Sequence, residues 1–191
     1  EFDKEFRERN NRTELSEPSS FEISLLPISI NFFSEKLFDG DLLKTANFFV
    51  PYAAFLTVLS ITFFFIVLGF GFEGIISGLG ASLSQSIFVR TSIGRVDTDL
   101  LNIGFLYSIL ALIFLSISSK NLKLKIIFIS LCGLINFLFT WWYQHPGFLL
   151  PFLFTIIVLQ YLYESDFKTS IFQILLFIIF SGPFYAIKSI S

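Results

Sequence analysis

ANFFVPYAAFLTVLSITFFFIVLGFGFEGIISGLGASL, residues 46–83, holds a single charged side chain, Glu73. As one straight helix it would be roughly 57 Å long at about 1.5 Å per residue, against a bilayer hydrocarbon core of about 30 Å. The stretch must therefore cross a membrane and bend. Gly69, Gly71, Gly74, Gly78 and Gly80 crowd together and mark where. We expect a span over 48–71, with Pro51 in its first turn, where a missing N–H costs little. A second apolar segment, 74–89, then lies in the interface or re-enters the membrane.

Further along, the same contrast of apolar runs and short polar turns recurs. Spans are expected over 100–118, 124–143, 147–163 and 170–187. They are separated by a basic turn at Lys120, Lys123 and Lys125, a hairpin at Gln144-His145-Pro146, and a charged turn at Glu164, Asp166 and Lys168. The span at 147–163 crosses only just, at roughly 25 Å of helical rise. The fold class is an all-α integral membrane protein with about five transmembrane helices, a polar N-terminal tail and a Gly-rich interfacial or re-entrant segment after the first span. Hydrophobic residues make up 54% of the chain and charged residues only 15%, where a soluble domain carries about 25% charged.

Toward the N-terminus the composition reverses. Residues 1–46 carry ten of the fifteen acids and six of the thirteen basic residues. They form one region, a polar tail with a surface or partner-docking segment; residues 47–191 form the transmembrane domain. Residues 21–33 are broken by Pro27 and read as an extended segment. Asp41 or Asn47 caps the first span and Asp99 the second, each through a side chain able to accept a helix N-terminal N–H. Met is absent even at position 1, so the chain reads as a processed or trimmed form.

Orientation follows from Lys and Arg. Five spans put the tail, Lys120, Lys123, Lys125 and Lys168 on one side and Arg90, Arg95 and Lys188 on the other, ten basic residues against three. The N-terminus is expected inside and the C-terminus outside, in an organelle inner membrane, a thylakoid or a bacterial plasma membrane.

Few residues are equipped for chemistry. Glu73 is an acid at membrane depth or at its edge, where ionisable groups serve ion and proton paths. Gly74 and Gly78 have the spacing that lets helices pack closely. His145, the lone histidine, could ligate a chlorophyll or heme through an imidazole nitrogen; otherwise it is a solvated turn residue. Trp141 and Trp142 suit an aromatic belt in contact with lipid or a partner. Arg90 and Arg95 suit lipid phosphates or a partner's acids. Asn102, Asn136, Gln160 and Gln173 suit hydrogen bonds between helices.

Several classes are disfavoured. One cysteine and one histidine build no protein-only zinc or iron–sulfur site. No basic stripe points to nucleic acid. There is no HExxH, GxSxG or phosphate-binding loop, so no enzyme activity, metal or obligate cofactor is expected, and bound lipids are. Few charges, ligands or repeats in the spans suit a non-catalytic accessory or structural subunit of a multi-subunit membrane complex of the respiratory or photosynthetic kind, with other membrane subunits as partners. The alternative is a small transporter or channel using Glu73 and the Gly69–Gly80 segment. A third class is a membrane enzyme or assembly factor acting on lipid.

Overall fold

The computed structural model describes residues 25–84, 101–143, 149–163 and 166–182. These form seven helices: α1 (Leu25–Leu37), α2 (Leu42–Val67), α3 (Gly71–Ser82), α4 (Asn102–Ser118), α5 (Leu122–Tyr143), α6 (Leu149–Tyr163) and α7 (Phe167–Ser181). Both α2 and α5 are long and apolar enough to cross a membrane; α4, α6 and α7 are shorter and apolar.

The segment around Pro27 is helical rather than extended. Pro27 is the third residue of α1, in the first turn, where a helix needs no N–H from it. A tight turn follows, with Asp39 and Gly40 both at positive φ. Asp41 then caps α2 by accepting the Lys44 N–H at 3.0 Å. The first span thus starts at Leu42 rather than near Asn47, Pro51 lies well inside it, and the tail boundary drawn at residue 46 falls within α2.

α2 ends where glycine allows it. Gly69 has φ +91°; its N–H reaches Ile66 O, and the Phe70 N–H reaches back to Phe65 O at 2.9 Å. This is a Schellman closure, which needs a left-handed residue at that position. The chain folds back, and α3 packs lengthwise and antiparallel on α2 instead of lying flat. Gly74 sits against Thr62 and Phe65, and Gly78 against Thr62 and Val58.

The remaining helices alternate in direction. Gly104 of α4 packs on Thr57, Ser108 Oγ donates to Ser60 Oγ at 2.9 Å, and Phe114 meets Phe64. α4 therefore runs parallel to α2. α5 returns: Ser116 Oγ donates to Lys125 O at one end, and Phe105 stacks on Phe139 at the other. α6 runs back, with Gln160 facing Gln173 of α7. α7 lies along α5, with Gly133 against Phe177 and Phe180. The main core joins Ile109, Ile113, Ile129, Phe139, Ile156 and Phe177.

Which faces are polar identifies the solvent. Thr57, Ser116, Asn136, Thr140, Gln160, Gln173 and Ser181 are buried. Phe55, Leu59, Phe63 and Ile66 on α2, and Leu150, Phe154, Ile157 and Tyr161 on α6, face outward. A water-soluble fold places these classes the other way round. Backbone satisfied within helices, with polar side chains turned between them, is the arrangement that hydrocarbon demands. The chain is an all-α membrane protein.

The return of α3 alters the side assignment. α3 brings the chain back toward α1, and α4 begins at that same end of the bundle. Lys36 and Lys44, counted with the tail, lie in α1 and α2. The ten-to-three count rests on five spans and does not carry over to this topology, so it sets no orientation.

Candidate functional site

The α1 end of the bundle is built on aromatic rings. Leu26, Phe49, Val50, Ala53 and Trp142 form a second buried cluster, with Phe33, Leu101 and Phe105 packed against it. Phe33 tilts on Phe49 at 6.3 Å, Phe49 stacks on Trp142 at 6.1 Å, and Phe105 bridges Trp142 and Phe139 at 6.1 and 5.4 Å. Each such pair adds about 0.5–1.5 kcal/mol beyond area burial. The ladder fixes α1 across the ends of α2, α4 and α5.

Trp142 is consequently 2% exposed and belongs to this interior rather than to a lipid-facing belt. Trp141 is half-buried, with its ring on Phe137. A helix-periodicity signal separates the two positions only once the face that meets α2 is known.

Leu101, not Asp99, occupies the N-cap position of α4 and makes no side-chain cap bond. Asp97 and Asp99 lie outside the described residues.

Glu73 lies elsewhere. It is exposed, in the first turn of α3, at the end of the molecule opposite α1. The helix N-terminal dipole favours an acid there. It lines no passage among the described residues, and Gly74 and Gly78 are occupied in packing on α2. His145, Arg90 and Arg95 lie outside the described residues, and so does the site on which a chlorophyll or heme would depend. Of the buried amides, Gln160 Nε2 donates to Gln173 Oε1 at 2.5 Å. Asn136 differs: it is fully buried, and neither amide atom has a partner among the described residues. Asn102 is the first residue of α4. No group of His, Cys, Asp and Glu among the described residues could hold a metal.

Two other acids are committed to structure. Asp41 accepts the Lys44 backbone N–H and meets the Lys44 ammonium at 3.1 Å. Asp166 accepts the Thr169 hydroxyl at 2.6 Å and the Lys168 N–H at 3.2 Å. Those bonds hold both carboxyls below the ordinary value of 3.8. They are helix caps, not free acids or bases.

Residues 17–190 match the family model Oligosaccharyl transferase STT3, N-terminal. The chain belongs to that family. Searches of curated proteins and of solved structures give no match. STT3 membership overturns the expectation of a respiratory or photosynthetic accessory subunit, and with it the transporter alternative built on Glu73. It also overturns the expectation of no enzyme: STT3 is a family of transferases. The missing HExxH and GxSxG patterns are signatures of hydrolysis by metal or serine. Sugar transfer needs suitably placed carboxylates instead, and no fixed local pattern announces those.

Proposed function

We propose that this chain is the N-terminal membrane part of an oligosaccharyl transferase, moving an oligosaccharide from a membrane-borne donor to an acceptor. The observation that carries the reading is the STT3 match across residues 17–190; the inverted polarity of the helix faces supports it. A transferase built of membrane helices suits a donor anchored in lipid. Its sugar is polar, so the reaction belongs at an end of the bundle and not within it.

The acids distribute between the two ends. Asp41 and Asp166 are held as caps, and Glu73 stands alone on α3. Asp97 and Asp99 lie two positions apart in the sequence, and neither is the N-cap residue of α4. In this reading they act at the α1 end, holding the acceptor or taking its proton as the new glycosidic bond forms. Six segments, α2 to α7, then cross the membrane, with other membrane subunits and lipid as neighbours.

The test is transfer of a labelled oligosaccharide in membranes containing the whole transferase of which this chain is part. Asp97→Asn and Asp99→Asn should each lower transfer by about 100-fold or more, in the range of a lost acid–base group. Glu73→Gln should stay within about twofold. No transfer from correctly inserted protein, or full transfer in the double Asp97→Asn/Asp99→Asn variant, overturns the proposal.

A further inference from the structure

Two exposed charges bracket the α2–α3 pair. Lys44 stands in the first turn of α2 and Glu73 in the first turn of α3. Gly74 against Phe65 sets Glu73 level with the last turns of α2. From Lys44 to Phe65 is roughly 32 Å of helical rise, which matches a hydrocarbon core of about 30 Å. The exposed stripe between them, Phe48, Tyr52, Phe55, Leu59 and Phe63, carries no charge. The membrane lies between these two levels.

α3 does not fill that thickness. It runs back along α2 with Gly74 on Thr62 and Phe65, then Gly78 on Thr62 and Val58. The same register, carried on by one more turn, sets Leu83 at the height of Phe55. Glu73 to Leu83 is about 15 Å of rise, half the core. The helix stops there: the Leu83 N–H and Ser82 Oγ both donate to Leu79 O, and the Ser84 N–H donates to Ala81 O. This end stands out from the bundle. Leu83 is 84% exposed, and a Cβ on Gly80 would meet nothing within 4 Å.

The face of α2 that receives α3 changes character beyond that point. Where α3 packs, it presents Val58, Thr62 and Phe65. At the same helical spacing toward α1 it presents Lys44, Asn47, Pro51 and Ala54. Pro51 has no N–H, so Asn47 O lacks its helical donor on this face. A helix end likewise has carbonyls with no N–H of its own helix ahead of them. Hydrocarbon holds no donors, and irregular backbone at membrane depth occurs only inside protein or beside water. The exposure of Leu83 and Gly80 selects water. We propose that a water-filled vestibule runs from the α1 end, along Lys44, Asn47 and Pro51 of α2, down to the end of α3 near the middle of the membrane. The inference rests on the membrane fold and not on the transferase reading.

The test is reaction of single introduced cysteines with a charged, membrane-impermeant maleimide, in sealed vesicles containing the whole transferase of which this chain is part. Glu35→Cys on α1 and Lys123→Cys at the other end mark the two sides. The parent, with Cys132 buried, sets the background. Leu83→Cys should react from the Glu35→Cys side, within about tenfold of that rate, because the reactive thiolate forms in water. Phe55→Cys, at the same height but on the lipid stripe, should react at least about 100-fold more slowly. Ser82→Cys serves as a second probe, and the thiol count in dodecyl sulfate shows how much protein is present. Reaction of Leu83→Cys and Ser82→Cys as slow as that of Phe55→Cys overturns the proposal, because lipid or protein then covers the end of α3. Reaction from the Lys123→Cys side overturns it too. So does equally fast reaction of Phe55→Cys and Leu83→Cys, which marks a bilayer thinned all round.

Discussion

The α2–α3 and α6–α7 pairs solve one problem in opposite ways. α3 approaches α2 by having no side chains in the contact: Gly74 and Gly78 bring backbone against Thr62, Phe65 and Val58. α6 and α7 meet through two large amides, Gln160 and Gln173, both buried. In hydrocarbon there is no apolar driving force between helices, so association depends on close packing or on hydrogen bonds. The first solution is sterically intolerant. The second tolerates bulk but leaves Gln160 Oε1 and Gln173 Nε2 unpaired among the described residues, so its net gain is smaller.

Six substitutions test and extend that contrast. Gly78→Leu should have the largest effect, since a side chain there runs into Thr62 Oγ1 and the Val58 backbone. Overpacking costs about 1–3 kcal/mol, and a disulfide placed across α2 and α3 should cease to form. Asn136→Leu should act in the opposite sense. An unpartnered buried amide costs about 1–3 kcal/mol, so this variant should unfold at higher denaturant in detergent than the parent; a lower midpoint shows that Asn136 has a partner outside the described residues.

Gln173→Leu should cost less, about 0.6 kcal/mol by the average for membrane hydrogen bonds. Adding Gln160→Leu should recover part of that loss, because both unpaired atoms then vanish. A strictly additive double variant breaks the comparison. The smallest effect belongs to the caps. Asp41 and Asp166 have folded values below 3.8, so their contribution is complete above about pH 4 and falls as pH drops through the folded values. A melting series from pH 7 to 3 should show a shallow decline that Asp41→Asn with Asp166→Asn flattens.

Much of the bundle was legible in the sequence. Charge-free runs bounded by Lys120–Lys125 and by Glu164–Lys168 placed α4, α5 and α6 within two residues at each end, whereas α7 starts three residues before the span expected over 170–187, the end of which lies outside the described residues. Three features were not. Pro27 reads as a breaker unless the helix start is known, and it lies inside the first turn of α1. Asp99 reads as a cap until α4 is seen to begin at Asn102. The glycine run signals a bend, but whether the chain then lies flat or returns depends on Thr62 and Val58, which offer α3 a groove. The site was less legible still. Glu73 drew attention as a lone charge in an apolar run, yet it ends at an exposed helix start. Asp97 and Asp99 drew little, because two acids in a polar loop look like any solvated loop.

Gly69 has a consequence that reaches past its own turn. Its left-handed backbone adds one reversal to the chain, and each reversal exchanges the compartment into which everything downstream is delivered. A β-branched residue there would favour continuing α2 past the turn. The helices α4 to α7 could keep every mutual contact and still run in the opposite sense through the membrane. A single φ angle thus acts as a parity bit for everything that follows it in the chain.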